Sequence, residues 1–285
     1  MKPIFFLLFF SSFAYGLEYE WEKVPFEIEK NTSLISAQAL KVKSTSTHKQ
    51  KLPVVFVFGG FEGAKDVLLL FKPQVPVFLV SFDYPFSPPR KFELTSSLKH
   101  IPDARKAITQ TFKGISILLN KLKKRKDLDL NRISIVGASF GAPFAIDAAS
   151  KHSEFKALLL LQGFGEIAST LENRMRISWQ KHLGPLTPVL CPVLSKIADL
   201  ILPIKSPNES IKYLRATQKV LIIHAKDDDL IPKAVQESLT QAAQTSGAEV
   251  TVKWISGQHL RPDSKEQLNQ LVRMSTVYLK EKGLL

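Results

Sequence analysis

Ser139, His259 and the aspartate run Asp227 to Asp229 have the types and settings needed for acyl-group chemistry. A serine hydroxyl is a weak nucleophile at neutral pH, so it needs a base, and the base needs an acid to orient it. Ser139 lies in Gly137-Ala138-Ser139-Phe140-Gly141, directly after the β-branched run Arg132-Ile133-Ser134-Ile135-Val136. That G-x-S-x-G spacing predicts a sharp strand-to-helix turn with the serine at its tip. The two glycines fall where a Cβ would crowd neighbouring backbone. A helix over Ala142 to Ser150 is expected to follow. On its own the motif also describes an ordinary turn of small residues, so the chemical reading depends on what lies downstream.

Two later segments supply the partners. Lys219 to His224 reads as a buried parallel strand that runs into the polar loop Ala225-Lys226-Asp227-Asp228-Asp229-Leu230-Ile231-Pro232. Val250 to Ile255 reads as another strand, followed by Ser256-Gly257-Gln258-His259-Leu260. Both loops leave strands at the sheet edge that carries Ser139, the edge where open α/β sheets bind ligands. The other histidines are His48, His100, His152, His182 and His224. His224 ends a buried strand and reads as structural. His259 follows the last strand and a glycine.

From about Ser33 to the C-terminus the chain resembles the α/β-hydrolase superfamily. His224 to Pro232 matches that family's H-G-x-x-D-x-x-V-P pattern, with Ala225 and Ile231 as departures. The resemblance implies Asp228 as the acid, with Asp227 and Asp229 as alternatives; a solvated turn would account for two of the three. It implies His259 as the base and Ser139 as the nucleophile. The fold it implies is α/β: a mostly parallel sheet, helices on both faces, and a helical cap insertion. It also implies an oxyanion hole. The backbone N–H of Phe140 would be one donor. Gly59-Gly60-Phe61-Glu62-Gly63 looks like the family's H-G-x-x-G loop, which makes the Phe61 N–H the second donor and Gly60 its alternative. Gly59 stands where a bracing histidine is common. A plain glycine-rich turn is the other reading of that segment.

The chain has 285 residues, enough to bury one large core or two small ones, and with 45% hydrophobic and 23% charged its balance is ordinary for a globular protein. No internal repeat or linker divides it. Met1-Lys2, the apolar run Ile4 to Phe10 and the small residues Ala14 and Gly16 predict a signal peptide over residues 1–16, cleaved after Gly16. An uncleaved anchor is the alternative. The hydrolase domain would then be residues 17–285, exported to a periplasm or secreted, with Glu18 to Ile28 and Ser33 to Thr45 as its antiparallel start. The lone Cys191 allows no intramolecular disulfide. No His/Cys cluster has zinc spacing and H-E-x-x-H is absent, so neither metal nor cofactor is expected. Asn31-Thr32-Ser33 and Asn208-Glu209-Ser210 are sequons that matter in a eukaryotic secretory pathway.

The formal net charge is +13. Much of it lies around a helix expected from about Asp103 to Lys126, whose end carries Lys121, Lys123, Lys124, Arg125 and Lys126. Basic residues suit a solvated helix C-terminus. The sharper reading is contact with an anionic membrane or polymer. Nothing in the chain is a nucleic-acid recognition motif.

Between the strands Leu158 to Leu161 and Val220 to His224 lies an insertion, about residues 163–216. It reads as a cap that Pro185, Pro188, Pro192, Pro203 and Pro207 break into short pieces. Its apolar side chains would line the pocket and favour a small acyl or aromatic substrate, or would merely pack on the domain. The function these readings point to is an exported serine hydrolase that cleaves an ester, thioester or amide through an acyl-enzyme. The rivals are a peptidase, with Glu62 or Glu166 serving a subsite, an acyltransferase, and an inactive binding protein on the same scaffold.

Overall fold

A strand buried on both faces must be apolar at every position, and several segments of this chain are. In the computed structural model, which describes residues 17–28, 35–44, 50–60, 63–72, 74–85, 101–261 and 263–285, they form the middle of one sheet. The strands are β1 (Leu17–Phe26), β2 (Ile35–Ser44), β3 (Leu52–Phe58), β4 (Val77–Ser81), β5 (Leu128–Ala138), β6 (Phe155–Leu161), β7 (Lys219–Ala225) and β8 (Glu249–Ile255). Their spatial order is β1-β2-β4-β3-β5-β6-β7-β8. β1, β2 and β4 pair antiparallel, and every pair from β4 to β8 is parallel.

The helices are α1 (Ala64–Leu70), α2 (Ile101–Leu122), α3 (Ala142–Lys151), α4 (Ile167–Leu183), α5 (Thr187–Ile201), α6 (Pro207–Ile211), α7 (Lys233–Gln244) and α8 (Lys265–Glu281). Along β3, Val54, Phe56 and Phe58 enter one core layer, while Val55 and Val57 enter the other. Side chains alternate along a strand, so a continuous apolar run feeds both layers at once. The first layer holds Leu118 and Leu119 of α2, Phe144 of α3 and Leu239 of α7. The second holds Leu68 of α1 and Leu271 and Leu279 of α8. Helices therefore cover both faces, as the sequence pattern implied.

The expected long helix ends at Leu122 rather than Lys126. Three of the five basic residues at its end are engaged, while Lys124 and Lys126 are exposed. Lys121 donates to the Pro25 carbonyl, Lys123 pairs with Glu154 at 2.5 Å, and Arg125 grips Glu22 at 2.5 Å and Asp127 at 2.7 Å. Lys121 and Arg125 thus tie the end of α2 to β1 and to the start of β5. The Arg125 guanidinium holds the Asp127 carboxyl down at about 2.

The insertion between β6 and β7 is helical: α4, a 3-10 turn at Gly184–Leu186, then α5 and α6. Its prolines break it less than expected. Pro188 sits in the first turn of α5, where the missing N–H is an orphan in any case. Pro192 lies inside α5, and the helix continues through it. The physical reason is tertiary: Cys191 on the same stretch is buried against Met175 and Trp179 of α4, which holds the turn that proline weakens.

The two ends of the insertion meet at a neck. The Gly165 carbonyl accepts the Asn208 N–H at 3.2 Å and the Ser206 hydroxyl at 3.4 Å. A Cβ on Gly165 would lie 1.7 Å from Asn208 Oδ1, so the strands of the neck touch only because residue 165 is glycine. Asn208 Nδ2 donates to Ser238 at 2.7 Å, so the side chain of this sequon is engaged inside the fold. The Glu166 carboxylate accepts from Ser238 and Ser169, both at 2.7 Å, so it is a strut of the neck rather than an open subsite. Glu62 and Asn31 lie outside the described residues.

Candidate active site

β5 is β-branched up to Val136 and then meets small residues, so it can turn abruptly. Ser139 has φ +49°, a left-handed conformation that a non-glycine residue adopts only when its surroundings impose it. The flanking glycines impose it by allowing close approach. A Cβ on Gly141 would lie 2.2 Å from the Phe58 carbonyl oxygen of β3, and one on Gly137 would lie 2.7 Å from Ala145 Cβ of α3. α3 is thereby pressed against β3 and β5, and Ser139 is held at the strand end.

Ser139, His259 and Asp228 converge there. Ser139 Oγ is 2.7 Å from His259 Nε2, and His259 Nδ1 is 2.8 Å from Asp228 Oδ2. The Asp228 side chain is 0% exposed and that of His259 is 4% exposed. The other carboxylate oxygen, Asp228 Oδ1, accepts the N–H groups of Leu230 at 3.0 Å and Ile231 at 2.8 Å. A buried carboxylate that accepts on both oxygens is fixed in direction. With Nδ1–H donating to it, the imidazole presents the Nε2 lone pair to the serine O–H.

The neighbouring aspartates are exposed residues of the turn, as expected of two of the three, and each also makes a contact there. Asp227 pairs with Gly257 through its own N–H at 3.1 Å and through Oδ2 at 3.3 Å, joining the acid loop to the histidine loop. Asp229 pairs with Arg261 at 2.7 Å on the far side of His259. Gly257 has φ +114°, which opens the histidine loop as only glycine does readily.

Four residues that hold the site gave no sequence signal. Gln162, buried at the end of β6 with φ +51°, donates its N–H to the Ile223 carbonyl at 2.7 Å, and its Oε1 accepts the N–H of Leu260 beside His259. Asn173 of α4 donates to the Leu230 carbonyl at 2.8 Å, tying the cap to the acid loop. Tyr84, just after β4, donates to the Gly59 carbonyl at 2.9 Å, and Asp83 beside it accepts the Ala64 N–H at 2.6 Å. The loop after β3, which lacks the bracing histidine, is braced from its neighbour instead. The Tyr84 ring also stacks edge-on against Phe140 at 5.6 Å.

Phe140 is the middle residue of the 3-10 turn Ser139–Gly141. Gly60 is described and half-buried, whereas Phe61 lies outside the described residues. His224 is remote in role: its Nε2 meets Thr240 Oγ1 at 2.8 Å, its ring stacks on Trp254 at 4.7 Å, and burial pushes it down to about 4. That gives Trp254 the structural place its sequence position did not suggest. Among the described residues no group of three or more His, Cys, Asp or Glu side chains could hold a metal.

Residues 90–259 match the model of the Dienelactone hydrolase family. The chain belongs to that family. Among curated proteins this dienelactone hydrolase family member is similar to Hydrolase acrC of Aspergillus aculeatus, 26% identical over 139 residues, which are 45% of this chain and 31% of the relative. The chain therefore matches less than half of that relative's length. Among solved structures it is similar to the acylaminoacyl peptidase of Pyrococcus horikoshii, with TM-score 0.64 and 17% identity over 92% of this chain and 41% of that one. It is also similar to an esterase of Pyrococcus furiosus (TM-score 0.60, 14% identity, 92% and 93% covered) and to esterases of Rhizomucor miehei (TM-score 0.59, 16% identity, 93% and 84% covered). The family member thus has the α/β-hydrolase fold.

Proposed function

We propose that this protein is a hydrolase that cleaves a carboxylic ester through Ser139, His259 and Asp228. The observation that carries the reading is the unbroken chain of hydrogen bonds, 2.7 Å from serine to imidazole and 2.8 Å from imidazole to carboxylate. Ser139 Oγ attacks the substrate carbonyl carbon as His259 Nε2 takes the hydroxyl proton. Asp228 stabilises the imidazolium without taking its proton. Negative charge collects on the carbonyl oxygen, where the Phe140 N–H is the proposed donor, with Phe61 or Gly60 as the second. A missing donor of this kind typically slows turnover by ~10²-fold or more. His259 then protonates the leaving alkoxide as the C–O bond breaks, leaving an acyl-Ser139 ester. Water attacks that ester with His259 again as base, releasing the acid and restoring Ser139.

Apolar surroundings favour a small acyl or aromatic group. Phe164, Ile167, Ile231 and Val235 cluster beside the acid loop, and Phe140, Tyr84 and Phe144 beside the serine. The test is hydrolysis of p-nitrophenyl esters of increasing acyl length by wild type and Ser139→Ala. Loss of activity in the variant supports the reading. Fluorophosphonate labelling of Ser139 without ester hydrolysis would move it to an amide substrate or acyl transfer. Absence of both ester hydrolysis and labelling would overturn it.

Export through a leader cleaved after Gly16 is part of the proposal and rests on the N-terminal sequence. N-terminal sequencing of protein recovered from its own host tests it, and a mature chain that begins at Met1 overturns it.

A further inference from the structure

An amphipathic surface helix turns its apolar stripe to the core. α5 does the reverse. Its buried positions are the small residues Thr187, Cys191 and Ser195, spaced four apart, which let it lie close on Met175 and Trp179 of α4. Its large apolar residues face outward, from Ile197 at 46% exposed to Leu200 at 87%. Leu186, Val189, Val193, Ile197 and Leu200 recur at intervals of three or four residues and share one helix face. At 1.5 Å per residue the stripe is about 21 Å long.

By length and composition the segment Gly184–Ile201 would cross a bilayer: its mean hydropathy is 1.3 and only 17% of it is buried. The fold forbids crossing. One side of α5 is packed on α4, the neck at Gly165 closes the insertion, and Asn173 fastens α4 to the acid loop. A helix this apolar that cannot span is suited to lie in the plane of a lipid interface.

Charge selects the occupant. Lys196 borders the stripe, Lys181 lies near the end of α4, and Lys205 follows α5, all three exposed. None has an ion pair with a described residue, and the three outnumber the one acid on α5, Asp199. A second copy docked face to face would bring these cations together, whereas anionic headgroups would neutralise them.

We propose that α5 docks the protein on an anionic lipid surface, with the Leu186 to Leu200 stripe in the acyl boundary and Lys181, Lys196 and Lys205 at the headgroups. The docking does not depend on which bond the enzyme cleaves. It leaves the triad one helix away from the lipid, on the far side of α4.

The experiment is flotation of the full chain with phosphatidylcholine vesicles, with and without phosphatidylglycerol. Wild type, a variant carrying both Val193→Asp and Leu200→Asp, and Ser139→Ala are compared, with circular dichroism melting to show that each is folded. The leader is common to all three, so a difference reports α5. Wild type and Ser139→Ala should float with the anionic vesicles, less so at high salt. The stripe variant should melt normally and partition roughly tenfold less or worse. Equal flotation of the folded stripe variant overturns the proposal. So does a wild-type dimer in sedimentation that the variant abolishes, without flotation of either, which would assign the stripe to a second copy.

Discussion

At the scale of single residues, the three adjacent aspartates make the sharpest prediction. Asp228 alone meets His259, so Asp228→Ala should lower kcat by ~10³-fold or more. Asp227→Ala breaks a loop contact and Asp229→Ala a half-exposed ion pair, and each should cost less than about tenfold. Steady-state kinetics of the three variants on one ester checks the order, and a crippled Asp227→Ala or Asp229→Ala would refute the assignment. Tyr84→Phe removes one hydrogen bond from a backbone carbonyl in the loop proposed to hold the oxyanion. Such a bond is typically worth ~1 kcal/mol, so kcat should fall about fivefold with KM little changed. A change confined to KM would instead place Tyr84 in the acyl pocket. Neither Tyr84 nor Gln162 was visible in the sequence. Each acts through a backbone atom of a loop distant along the chain, and such a contact requires no particular local spacing.

At the scale of elements, much was legible because it rests on local chemistry. Continuous apolar runs marked β3 and β7, and the alternation of small and nucleophilic residues marked the turn after β5. Helix ends were less legible. α2 stops at Leu122 because Arg125 must reach Glu22 on β1, a long-range demand that a basic stretch does not announce. Pro192 misled for a similar reason, since burial of Cys191 beside it outweighs one missing backbone bond. The turn itself can be tested by Gly141→Ala. The new Cβ would stand 2.2 Å from backbone of β3, and overpacking of this kind costs roughly 3 kcal/mol or more, read as a lower urea midpoint. On β7, burial pushes His224 from the usual 6.5 to about 4. Between those values the unfolded chain takes up a proton that the folded one refuses, so stability present above 6.5 is lost as pH falls toward 4. The melting temperature should fall across that window, with a shallower slope in His224→Gln. The stability contributed by the Asp127 carboxyl, held at about 2, is fully present above the usual carboxylate value of 3.8 and is lost only as pH falls from there toward 2, so the two effects separate on the pH axis.

At the scale of the whole molecule there are two tiers. β3 to β7 are walled by helices on both sides, while α5 rests chiefly on α4. Native-state hydrogen exchange should therefore find α5 opening more easily than β5. Equal protection would mean that the cap and sheet unfold as one unit. The neck at Gly165 has a consequence for descent. Because the hydrogen bonds of Asn208 and Ser206 already bring the insertion's ends together, the closure entropy of whatever lies between them changes slowly with length, by only ~0.6 kcal/mol per doubling. Segments of quite different size could be grafted there without retuning the eight-stranded sheet. A lineage could exchange what its enzymes dock on, and what they admit, by replacing one exon-sized stretch of chain while inheriting Ser139, Asp228 and His259 unchanged.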